Sequence, residues 1–195
     1  GLNERDEELR LRGYYEEILE GKRPNLGGLW EGQLEKPADW LQLSQTEAVR
    51  YTMDLREREL QPNLEMTFRN SILRTNSHGM RDLEYTLEKP PGTFRVAVLG
   101  ASIEMGSGVE SHEVFEALVE ERLNAENPGH SVERYEVLNF SVSGNTPLAQ
   151  VYNIAERVPA FDPDLVLFFC HPVDGRLMQR HVERLLEQNV AIEYE

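Results

Sequence analysis

The 195-residue chain has a single cysteine, Cys170, so no disulfide can form within it and its redox compartment stays open. Long apolar runs are missing too. The longest, Leu165 to Cys170, covers six positions, far short of the roughly 20 needed to cross a bilayer. Basic residues are scarce: 20 stand against 35 acids, for a net charge of −15, and lysine does not recur after Lys89. Such a surface repels phosphate backbones and anionic headgroups, which argues against a nucleic-acid partner and against an acidic membrane surface. The opening Gly1-Leu2-Asn3 has neither an initiator Met nor a signal-peptide pattern. It reads as a processed end, from which an upstream targeting segment could have been removed. What remains is a globular composition, 39% hydrophobic and 28% charged.

The chain divides into two parts. Residues 1–94 read as an arm. A helix is expected over Glu4 to Glu20, stopped by Gly21 and Pro24. An irregular stretch follows, in which Trp30 and Trp40 serve as packing anchors. A short hairpin is expected around Asn70-Ser71, joining Leu64–Phe68 to Ile72–Thr75. Pro90-Pro91-Gly92 marks the boundary. Residues 95–195 alternate between apolar strands and helices. Strands are expected at Arg95–Leu99, Tyr135–Phe140 and Leu165–Cys170, each apolar enough to be buried on both faces. Helices are expected over Ser111–Glu126, with Val114, Phe115, Leu118, Val119 and Leu123 inward, over Pro147–Val158 behind a Thr146 cap, and over Gly175–Gln188. Three β-α units in succession imply an α/β fold with a parallel sheet and helices on both faces.

Ligands of such sheets bind outside the carboxyl ends of the strands. Three loops fall there: Gly100-Ala101-Ser102-Ile103-Glu104-Met105-Gly106, Ser141-Val142-Ser143-Gly144-Asn145-Thr146, and His171-Pro172-Val173-Asp174-Gly175. Each leads toward a helix N-terminus, where free N–H groups favour negative charge. A serine on the first loop beside donors on the others suits acyl transfer through an oxyanion.

These loops resemble the motif blocks of the SGNH/GDSL hydrolases, a family of esterases and acyltransferases. Gly100-Ala101-Ser102 is similar to its Gly-Asp-Ser block, which implies Ser102 as nucleophile. Ser143-Gly144-Asn145 after Leu138-Asn139-Phe140 resembles the second block, which implies the Gly144 N–H as an oxyanion donor, with Asn145 beside it as a further candidate. Pro163-Asp164-Leu165-Val166 and then Val173-Asp174-Gly175 resemble the third. The run from Thr75 to Asp82 resembles a lead-in found in larger bacterial members. The resemblance covers about residues 60–190. It implies a three-layer, flavodoxin-like core, incomplete at its C-terminus, and activity on acyl or acetyl esters, small or carbohydrate-borne. No cofactor and no metal are implied, and family analogy suggests an extracytoplasmic place. The arm is a candidate surface for a protein partner.

The chain also departs from the pattern. Ala101 stands where the family has Asp, which loosens the loop. Val173 stands where it has an oxyanion-binding Asn, and valine cannot donate. The family's catalytic Asp and His lie beyond two further strands and match nothing here, so the catalytic C-terminal part is expected outside this chain, which alone would be inactive. His171 is the best local substitute for the base; a capping or packing role is the favoured reading. Asp174 reads as a turn or helix-cap residue, Glu104 as a solvated loop carboxylate, and His181 as a helix-face residue. An inactive fold used for binding or assembly is the alternative. Flavin binding, suggested by the 141–146 loop, fits poorly because a β-α unit precedes that loop.

Overall fold

The computed structural model describes residues 42–69, 71–129, 131–172 and 174–190. The expected 4–20 helix, Trp30, Trp40 and Val173 lie outside the described residues.

The first part forms two antiparallel hairpins. β1 (Val49–Tyr51) pairs with β2 (Arg58–Leu60), and β3 (Glu65–Phe68) pairs with β4 (Ser71–Arg74). The second hairpin falls where the sequence placed it. The first is invisible to an apolar-alternation reading, because Arg56-Glu57-Arg58-Glu59 is wholly charged. Ion pairs stand in for apolar contacts there: Glu59 takes Arg50 across the pair and Arg56 at 2.9 Å. Leu43, Ala48, Val49, Leu60, Phe68 and Leu73 form one apolar cluster with Met105 and Val142. The hairpins are thereby packed onto the loops that follow the first two sheet strands.

The second part holds a three-stranded parallel sheet. β5 (Thr93–Leu99) lies between β6 (Arg134–Asn139) and β7 (Leu165–Phe168), with Val96 in register with both Val137 and Leu165. α1 (Phe115–Glu126) leads from β5 to β6, α2 (Pro147–Glu156) from β6 to β7, and α3 (Asp174–Glu187) follows β7. Thr146 caps α2, accepting the Ala149 N–H at 3.5 Å, and Pro147 supplies the first helical position. Strand alternation assigns the two faces. Ala97, Leu99, Leu138 and Phe140 pack with Ile154, Val158 and Phe161. Val96, Val98 and Val137 pack with Phe115 and Leu123. No helix among the described residues is long and apolar enough to cross a membrane.

Two expectations need correction. Residues 111–113 form a 3-10 turn and α1 starts at Phe115. Of its expected inward stripe Val114 is buried and Phe115 and Leu123 pack on the sheet, but Leu118 and Val119 are exposed, and Glu116 and Glu120 are buried instead. The reason is that α1 also runs along the free edge of β6. Asn124 Oδ1 accepts the Tyr135 N–H at 2.9 Å, Glu120 Oε2 the Val137 N–H at 2.7 Å, and Asp82 Oδ2 the Asn139 N–H at 2.7 Å. Alternate amides of an edge strand face outward and need partners; an i, i+4 polar row supplies two of the three. β7 is the second correction. It was expected to be buried on both faces, yet all four of its residues are more than a third exposed. It is the other edge of the sheet, and no described element pairs with its outer side.

Arg95, in the middle of the sheet, is fully buried. Its Nε donates to Glu136 at 2.6 Å, and its terminal nitrogens donate to the carbonyls of Thr86, Leu87 and Phe161 at 2.7–2.9 Å. Asp164 takes its backbone N–H at 2.8 Å. Four side-chain hydrogen bonds offset the desolvation of a buried guanidinium.

Candidate active site

Ser102 lies at the carboxyl end of the central strand, in a compact turn. Met105 N–H bonds the Ala101 carbonyl at 3.0 Å, and Ser107 N–H bonds the Ser102 carbonyl at 3.0 Å. Gly106 closes the turn at φ +73°, a left-handed conformation that suits glycine. Ser102 is half-buried, and its Oγ has no hydrogen-bond partner among the described residues. It lines a cavity of about 490 Å³ with Ile103, Val109, Val114 and Phe115 as apolar wall and Arg69 and Glu113 at its polar side.

The loop is held from behind. Glu104 was read as a solvated carboxylate; it is 3% exposed. Its side chain folds back over Gly100, where an added Cβ would come within 2.6 Å of Glu104 Cβ. Its Oε2 accepts the Ala101 N–H at 2.8 Å and lies 3.1 Å from His171 Nε2. The loop that Ala101 was expected to loosen is therefore tied by a carboxylate from three residues on. Asn139 Nδ2 donates to the Glu104 carbonyl at 2.8 Å. Arg81 Nη1 donates to the Met105 carbonyl at 3.1 Å and also to that of Gly106, while its Nη2 donates to that of Val109. Burial pushes the Arg81 guanidinium below its ordinary pKa, and Glu116 and Glu110 partly restore it. Sequence reasoning missed Arg81 as a loop-holding residue; the only signal was its place in the lead-in run before β5.

The other candidates fall around this loop without converging on Ser102. Gly144 has φ +85° and is exposed. Arg58 lies against it, so that an added Cβ would meet Nη1 at 2.9 Å. Asn145 is 2% exposed, and both ends of its amide are buried without a partner. His171 accepts no role at Ser102: its backbone N–H donates to Asp174 Oδ2 at 2.7 Å and its ring turns to Glu104. Asp174 opens α3, and its side chain accepts the His171 N–H of the preceding turn. Val173, the position of the missing oxyanion donor, lies outside the described residues. His181 is not a surface residue of its helix. It is fully buried, with Nδ1 2.6 Å from Thr146 Oγ1, and burial lowers its pKa against the pull of Glu57. Neither Gly144 nor His171 lines the Ser102 cavity. Among the described residues no group of three or more His, Cys, Asp or Glu is placed to hold a metal ion.

Neither a family model nor a curated protein sequence matches this chain. A solved structure titled "Crystal Structure of TesA" is similar to it at 23% identity with a TM-score of 0.37, over 49% of this chain and 56% of that one. The chain thus spans about half the length of that structure.

Proposed function

We propose that the chain carries the nucleophile part of an SGNH-type serine hydrolase acting on acyl or acetyl esters, with Ser102 as nucleophile. The observation that carries this reading is the placement of Ser102. It follows the central strand of a parallel sheet, in a loop fixed by Glu104, Arg81 and Asn139, with an unengaged Oγ on a cavity. The apolar wall of Ile103, Val109, Val114 and Phe115 suits an acyl chain. Attack by Oγ on the ester carbonyl would give an acyl-enzyme and release the alcohol, and water would then free the acid. A serine hydroxyl needs a base for this, and no described histidine is hydrogen-bonded to Ser102.

A second reading, a catalytically inactive fold used for binding or assembly, draws on one observation: the Arg58 guanidinium lies against Gly144, the position of the oxyanion donor. Fluorophosphonate labelling of the intact protein separates the two. Labelling that disappears in Ser102→Ala is expected for the hydrolase. Equal labelling of both proteins excludes Ser102 as nucleophile, and absence of labelling in a folded wild type favours the binding reading.

A further inference from the structure

A second cavity, of about 390 Å³, shares no lining residue with the Ser102 cavity and lies between the segment that leads into β5 and the buried side of α1. Four carboxyl groups line it: Asp82, Glu116 and Glu120, which are buried or half-buried, and the exposed Glu121. Leu83 and Ala117 form apolar wall. Two of the acids are committed to the β6 edge, Asp82 through Asn139 N–H and Glu120 through Val137 N–H and the Tyr85 hydroxyl at 2.7 Å. Glu116 is not. It is 2% exposed, and its Oε2 is buried without a hydrogen-bond partner. A buried carboxylate oxygen left unpaired is costly and calls for an explanation.

The nearby cations do not answer it. Arg81 lines the same cavity, but its terminal nitrogens are engaged with the carbonyls of Met105, Gly106 and Val109. Its Nε, like Glu116 Oε2, has no partner. Arg74, on the rim, pairs with Glu65 at 2.7 Å. The shortage of compensating charge shows in the acids themselves. Burial, with like charge from Glu116 and Glu120, drives the Asp82 carboxyl well above its usual range. Burial pushes Glu116 up to about 7, against the opposing pull of Asn139 and Arg81.

We propose that this cavity binds a small organic molecule bearing a primary ammonium, whose N–H groups are taken by Glu116 Oε2 and its neighbouring carboxyls while its carbon chain lies against Leu83 and Ala117. A bare divalent ion fits less well, because the described carboxylates are not gathered closely enough to ligate one. An ammonium needs only two or three acceptors at hydrogen-bond distance, and the apolar wall takes its carbon chain.

The test uses n-butylammonium chloride as probe, at pH 8 and constant ionic strength, with thermal unfolding and amide chemical shifts as readouts. Butylammonium is expected to raise the melting temperature saturably and to move the amides of Leu83, Ala117 and Glu121. Tetramethylammonium, which has no N–H to donate, is expected to do neither. Glu116→Gln should weaken the response at least tenfold in probe concentration. Ala117→Leu, which keeps every carboxyl and fills the cavity, should abolish it. A saturable response to magnesium instead, an equal response to tetramethylammonium, or no response to butylammonium in the folded wild type overturns the proposal. So does an undiminished response in Ala117→Leu. If Glu116→Gln does not fold, the Ala117→Leu comparison and the two cation controls decide alone.

Discussion

Glu104 and His171 meet through one carboxylate oxygen: Oε2 lies 3.1 Å from His171 Nε2 and accepts the Ala101 N–H at 2.8 Å. The loop after β5 and the loop after β7 are thus joined at the backbone of the residue preceding Ser102. Gly100 permits this, since any side chain there would occupy the space of Glu104. Gly100→Ala is therefore expected to destabilise the protein by about 1–3 kcal/mol through overpacking. Glu104→Ala in the same chain should recover part of that loss, because it clears the collision. Urea unfolding of the two single variants and the double variant measures the coupling, and simple additivity would contradict the contact.

Glu116 gives a pH dependence with a definite sign. Its folded pKa, about 7, lies above its ordinary value of 4.5, so the folded state holds the proton more tightly. Stability from this group is complete below about pH 4.5 and is lost as pH rises toward 7 and beyond. A shift of that size corresponds to about 3 kcal/mol at 1.36 kcal/mol per unit. Glu116→Gln cannot ionise. It should flatten the stability profile between pH 5 and 8 and exceed the wild type at pH 8. Denaturant midpoints at both pH values test this; parallel profiles would contradict it.

Arg95→Met should cost about 3–5 kcal/mol, because it leaves the buried Glu136 carboxylate with the more distant Arg134, at 3.5 Å, and strands three carbonyls. Adding Glu136→Gln should return part of the loss by removing the orphaned charge. Arg95→Lys should not substitute, since an ammonium lacks the planar fork that reaches four acceptors at once. Chemical denaturation of the three variants is sufficient, and a fully stable Arg95→Lys would refute the account.

Leu60 is 1% exposed and shares its cluster with Met105 and Val142. Leu60→Ala should cost about 2–5 kcal/mol. Its effect should spread to the Ser102 loop, seen as faster hydrogen exchange of the amides of Met105, Gly106 and Ser107. Exchange unchanged at those three, with faster exchange confined to the hairpins, would show that the hairpins do not brace the loop.

The sheet strands and their helices were legible because β5 and β6 are short apolar runs and because Thr146-Pro147 is an unambiguous helix start. The 3.6-residue period of α1 was legible, and so was the part of its inward face that holds Val114, Phe115 and Leu123, but not the acidic part. Sequence patterning equates burial with apolarity, whereas Glu116, Glu120 and Asn124 are turned toward a strand edge whose amides need acceptors. At β2, ion pairs organise a strand that apolar patterning does not mark. At the candidate site, the place of Ser102 in the loop after β5 was legible from the strand and the glycines around it. Glu104 and Arg81 were not, because their work is to bond backbone groups that only the folded loop brings near them.

Arg95 reaches partners 8, 9, 41 and 66 positions away along the chain. The two nearest are in place as soon as β5 forms; Glu136 waits for β6, and the Phe161 carbonyl for the turn after α2. Until those arrive, a bare guanidinium cannot enter the sheet without a large desolvation cost. The residue is therefore expected to act as an assembly checkpoint: burying β5 on a half-built sheet is costly, and the long-range pairings of residues 93–168 are expected to appear together, in one cooperative step, instead of strand by strand.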